Sequence, residues 1–252
     1  SFKIVSLKGV ALCSAWPERS DIGFGGVAAL AGIRAGCREK REVTKPLNAD
    51  ASLQANVAAE LTGRARRLKD ATHETHQRLD QSIMAHNPFE SRARYALFVT
   101  VQHQFHRDID ALYADPALDT LLPDLAGRRR FDLTRRDLQD LGVALPAAKS
   151  PPVFAAGAAA DLPTALGWLY VAEGSNLGAA FLLKEAKKLG LSETFGARHL
   201  AASPEGRGLH WKTFTAALDA VTLTGPEEER VKDGARAAFA RVQGLVDDIF
   251  AG

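Results

Sequence analysis

With 252 residues, 46% of them hydrophobic and 25% charged, the chain carries enough apolar side chains to bury one sizeable core without cross-links. Lys and Arg outnumber Asp and Glu by only 32 to 30, too even a balance to point to nucleic acid, and apolar runs such as 153–160 are far too short to span a bilayer. The two cysteines, Cys13 and Cys37, stand in no CxxC or zinc pattern, which excludes a disulfide scaffold, a structural zinc cluster and thiolate chemistry in the main body. Such a body needs no oxidising compartment, and a cytoplasmic location is expected.

Residues 1–57 hold glycines at 9, 23, 25, 26, 32 and 36 and no sustained hydrophobic period. The run from Gly9 to Trp16 is a faint match to a signal-peptide core without a convincing cleavage site. A poorly ordered N-terminal extension is the expectation for 1–57, with a single domain over 58–252. From about Ala58 the pattern turns helical, rich in Ala and Leu with interleaved charges and no alternating β-branched runs. The spacing predicts helices over 51–82, 89–114, 134–141, 162–189, 207–221 and 226–250, with short ones at 116–121 and 196–201. The prolines at 88, 116, 123, 146, 151, 152 and 226 fall between or at the starts of these segments. Asp161 reads as an N-cap, with Pro163 in the first turn behind it. The expected fold class is all-α.

The segment 162–189 has helical composition but contains Gly167, Gly174 and Gly178. An interior glycine costs about 1 kcal/mol relative to alanine. At about 100° per residue the three fall on one stripe. Two readings account for it: a close contact with another helix, or a flat ligand lying against backbone that has no Cβ.

Among the seven histidines, His103 and His106 are three apart, a spacing compatible with a metal, but only Asp110 stands at a nearby helical step. The segment LKDATHETHQRLDQSI (68–83) is more specific. There His76 shares a face with Leu68, Thr72, Leu79 and Ile83, while His73 leans to the polar side. An imidazole on an otherwise buried stripe needs a partner for both ring nitrogens. Asp80, one turn on, can accept from one nitrogen and leave the other for iron, and Lys69 lies about 10 Å earlier along the axis, within reach of an anionic ligand edge.

The pattern L-K/R-x-A-T-x-x-x-H-x-x-L-D, met by Leu68, Lys69, Ala71, Thr72, His76, Leu79 and Asp80, and the stretch EGSNLGAAFLLKEA (173–186) together resemble the heme oxygenases. The likeness is to the bacterial HemO/PigA-like or bacteriophytochrome-associated type. It runs from about residue 58 to the C-terminus and includes RHLAASPEGR (198–207). The resemblance implies a single-domain helical fold with heme between a proximal and a distal helix. His76 would be the proximal ligand and metal-binding residue, with Asp80 orienting it beside Thr72. Gly174 and Gly178 would expose distal main chain to the heme face, near Tyr170 and Ser175. Lys69 and Lys212 match basic positions that meet the propionates, and Phe239 matches a pocket aromatic on the last helix.

The implied activity is ring opening of heme, substrate and cofactor at once, to biliverdin, CO and ferrous iron with O₂ and electrons. Ser175 stands where mammalian-type enzymes carry an aspartate, and Lys69 keeps the basic residue of α-cleaving enzymes, so the IXα isomer is expected. No flavin or nicotinamide fingerprint is present, so the donor is external, a ferredoxin or flavin reductase. Basic residues at 64, 66, 67, 128–130, 184, 187 and 188 either guide it or are merely solvated. A bacteriophytochrome is a possible receiver of the biliverdin. The competing reading is a non-catalytic heme-binding or heme-trafficking protein with the same pocket.

Overall fold

Residues 63–148 and 150–251 are described by a computed structural model of the protein; the expectations for residues 1–57, and the start of a helix at 51, lie outside the described residues. Helix α1 (Arg64–Ala85) starts directly after Gly63. Helix α2 (Arg92–Ile109) begins where the Ser91 hydroxyl accepts from Arg94 N–H at 3.2 Å, the usual service of an N-cap. Its start is later than the predicted 89 because the chain first turns through Asn87, at φ 48°. Its end tightens into a 3₁₀ turn, Asp110–Ala114. Helix α3 (Pro116–Leu121) has Asp115 as its cap and proline in its first turn. An unpredicted 3₁₀ turn, Ala126–Arg128, leads into α4 (Phe131–Asp140).

Helix α5 (Leu162–Lys188) starts at Asp161 as expected, whose carboxylate accepts from Thr164 N–H at 3.1 Å. The predicted helix at 196–201 is a single 3₁₀ turn, Arg198–Leu200. There the Asp137 carboxylate takes the backbone N–H groups of Arg198 (3.0 Å) and His199 (2.9 Å), satisfying them from outside the segment. Helices α6 (Arg207–Ala220) and α7 (Gly225–Ala251) complete the order. No strand occurs among the described residues, and none of their helices is long and apolar enough to cross a membrane. The fold is all-α.

The core forms around α5, whose N-terminal half is buried without a break from Ala165 to Glu173. Its most extensive contact is with α7; α1 and α2 also pack on α7. Two glycines set the α5–α7 approach. A Cβ on Gly167 would overlap the Val231 carbonyl oxygen and lie 2.6 Å from Ala235 N, and one on Gly234 would lie 2.5 Å from Thr164 O. The helices therefore meet backbone to backbone, as only glycine permits. This contact fixes the direction in which α5 leaves the core, and so places its next two glycines.

Candidate functional site

Beyond the Gly167 contact, the same face of α5 opens on a mostly apolar cavity, the kind of concave surface that holds small molecules. Helix α1 supplies His76, Leu79, Asp80 and Ile83, and α7 supplies Phe239 and Val242. Helix α2 presents Phe98, Gln102 and Phe105. The α5 wall runs from Tyr170 and Val171 through Gly174, Ser175, Leu177 and Gly178 to Leu182. The glycine stripe is thus two things: Gly167 is the helix contact, whereas Gly174 and Gly178 are cavity wall.

His76 is the single histidine on this wall. Its ring lies 5.3 Å from that of Phe239, and its side chain is 24% exposed. Burial, and then the neighbouring His73, lower its pKa, which keeps the imidazole neutral with a lone pair to give. Nε2 is 3.6 Å from Oδ2 of Asp80, an electrostatic contact longer than a hydrogen bond. Burial pushes the Asp80 carboxyl up to about 7.

The other residues singled out from sequence divide. Asp80, Tyr170, Ser175 and Phe239 line the cavity with His76, Gly174 and Gly178. The Ser175 hydroxyl donates to Ala172 O at 2.7 Å, within its own helix. Thr72, Lys69 and Lys212 are not on the wall: Thr72 is buried one turn before His76 with its hydroxyl donating to Leu68 O at 2.7 Å, Lys69 is half-buried on α1, and Lys212 is exposed on α6.

His103 and His106 are interior groups. His103 pairs with the Thr134 hydroxyl at 3.1 Å and stacks on Phe131, while Asp110 is held by Arg129 at 2.8 Å. No group of three or more metal-ligating side chains is found among the described residues. Three of the basic residues weighed as a docking face are buried too: Arg64 pairs with Glu228 at 2.7 Å, Arg128 with Glu173 at 3.1 Å, and Arg130 donates to His199 O at 2.6 Å.

Two features escaped the sequence reading. Phe98, Gln102 and Phe105 recur at helical spacing, and a glutamine between two phenylalanines on a buried face was the available signal. The second is Glu173, the one charged residue between Asp161 and Lys184. It is 2% exposed and bound by Tyr113 and Arg128 on the side of α5 away from the cavity wall.

The walls suit a flat apolar macrocycle carrying one metal: aromatic and aliphatic side chains around, one neutral imidazole on α1, and bare main chain on α5. A sequence model of the heme oxygenase family matches residues 62–248. Heme oxygenase PigA of Pseudomonas aeruginosa is 45% identical over 188 residues, covering 75% of this chain and 93% of that protein. Crystal structures of NO- and CO-bound heme oxygenase from Neisseria meningitidis match with a TM-score of 0.70 and 40% identity, over 75% of this chain and 92% of that one.

Proposed function

The chain belongs to the heme oxygenase family, and from that premise we propose that it opens the heme ring with His76 as the iron ligand on one side and the Gly174–Gly178 main chain on the other. The single observation that carries this assignment is that His76, the one histidine among the described residues of the cavity wall, lines the same cavity as two glycines of α5. Bound heme supplies the redox-active iron and is itself the substrate, with O₂ and external electrons completing the reaction to biliverdin, CO and iron.

The chain's own residues bind, orient and exclude. The apolar side chains of α1, α2 and α7 remove water from the macrocycle faces. The neutral state of His76 suits it to donate its lone pair. Asp80, one turn away, is placed to restrain the ring. Gly174 and Gly178 leave space where a larger side chain would obstruct a small gaseous ligand, and Gln102 adds a polar group to the α2 wall.

Lys69, two turns before His76 on α1, supports the IXα isomer through the charge it can offer a propionate. Ferredoxin or a flavin reductase is the proposed donor class, and the exposed cations Arg66, Lys184, Lys187 and Lys188, three of them in surface ion pairs of their own, are where an acidic partner would meet this chain. The need for such a donor supports a cytoplasmic site of action.

The test is to add heme and a reductant to the protein in air and identify the tetrapyrrole formed. Biliverdin IXα is the expected product. Bound heme with no ring-opened product would reduce the protein to a heme carrier, and another isomer would remove the role given to Lys69.

A further inference from the structure

Two of the five residues of α5 from 174 to 178 are glycines on the cavity wall, yet this stretch must keep a fixed height over the pocket. Two polar clamps grip α5, one just before that stretch at Glu173 and one within it at Asn176. On the N-terminal side the Glu173 carboxylate accepts from the Tyr113 hydroxyl at 3.0 Å and from Arg128 at 3.1 Å, and lies 3.5 Å from Nε2 of His210. Arg128 also donates to the His210 carbonyl oxygen at 3.2 Å. Within the stretch Arg207 donates to the main-chain carbonyl of Asn176 at 2.9 Å and, with its other terminal nitrogen, to that of Leu200. Arg207 and His210 both stand in the first turn of α6, and His210 is tied back to Glu205 at 2.7 Å.

We propose that Glu173 and Arg207 are positioning residues that hold the Gly174–Gly178 main chain at its height over the cavity, both acting through the start of α6. The geometry supports a mechanical role: neither residue lines the cavity. Arg207 binds a backbone carbonyl in the middle of the glycine-bounded stretch, and a charged donor on a backbone oxygen is among the stronger single hydrogen bonds available. Four separate elements, the two 3₁₀ turns at 110–114 and 126–128, the 198–200 turn and α6, are thereby anchored to one stretch of α5. The inference rests on the reading that this stretch is the distal face of the heme site.

The experiment compares amide hydrogen exchange of the full-length, heme-free protein with that of Arg207→Ala. Exchange over residues 171–180 should accelerate about tenfold or more, the factor expected when one charge-assisted hydrogen bond restraining a local opening is lost, while α1 and α7 keep their protection. Loaded with heme, the variant should retain the wild-type ferric absorption spectrum set on the α1 side and lose kcat several-fold with little change in KM. Glu173→Gln should loosen 171–174 in the same way; should it fail to fold, Arg207→Ala alone decides. Unchanged exchange over 171–180, or an equal acceleration in α1 and α7, overturns the proposal. Because exchange is read without heme, the outcome is separate from the ligand assignment, which stands or falls with the His76→Ala spectrum.

Discussion

His76 gains its proposed role from its surroundings more than from its type. Burial and the adjacent His73 both disfavour its cation, so at neutral pH the ring offers a lone pair without first losing a proton. His76→Ala is expected to abolish the imidazole-ligated absorption spectrum of the heme complex while the exposed His73 stays in place; an unchanged spectrum would show that another group binds the iron. Asp80 is proposed to act one step removed. Asp80→Ala is expected to lower heme affinity or turnover by about 10- to 100-fold, the usual effect of removing the partner of a ligating histidine, which heme titration followed by fluorescence quenching would detect. The histidine and its aspartate were legible because an i, i+4 pair on an apolar stripe needs an explanation. Gln102 was not, since a single amide on a helix with several polar residues is unremarkable until the fold turns it inward.

Helix α5 shows how one sequence feature can serve two ends. Its three glycines share a stripe, and sequence alone left open whether they meet a helix or a ligand. The structure divides them, because α7 crosses at Gly167 and the cavity begins at Gly174. The division could not be read in advance: it depends on where a distant helix crosses. Substitutions should separate the two uses. Gly167→Val forces side-chain atoms into the α7 backbone, where neither partner can yield, and is expected to cost about 1–3 kcal/mol or more of stability in urea unfolding. Gly178→Val should leave the urea midpoint close to wild type and stop turnover by filling the space over the heme face. A Gly178→Val protein with normal turnover would make that glycine a packing residue like Gly167. The polar clamps behind α5 were invisible for a related reason, since Arg128 reads only as one of a run of charges and Arg207 only as the start of a helix, and neither shows in sequence that it reaches α5.

At the scale of the whole molecule, buried titratable groups give stability a dependence on pH with opposite signs on the two sides of neutrality. His106 is 4% exposed, and burial, then Arg130 and two neighbouring histidines, lower its pKa to about 3. In the unfolded chain it titrates near 6.5. Below that pH the unfolded state binds a proton that the folded state refuses, so stability falls from about pH 6.5 toward 3 with a slope of up to about 1.4 kcal/mol per pH unit. Asp137 acts in the same direction at lower pH. Its burial raises the pKa, but the His199 ring at 2.7 Å and two backbone N–H groups outweigh that and hold it below its usual value, so its contribution is lost as pH falls through the acid range.

His210 behaves oppositely. The Glu173 carboxylate beside it raises its pKa, burial opposes this, and Glu205 adds to the rise. Its contribution is full below about 6.5 and is lost as pH climbs through the raised value. Asp80, raised to about 7, works against the acid-side loss, while His103, lowered to about 4, adds to that of His106, so urea midpoints should still fall on the acid side as well as on the alkaline side. Replacing His106 by Gln, which cannot take up a proton, should flatten the acid side and leave the alkaline side as it was. Replacing His210 by Gln should flatten the alkaline side, and because His210 belongs to the clamp behind Glu173, the same variant should also quicken amide exchange at 171–174. If the His106→Gln protein lost stability on acidification as steeply as the wild type, the acid sensitivity would have to come from His103, lowered to about 4 by burial, and from Asp137.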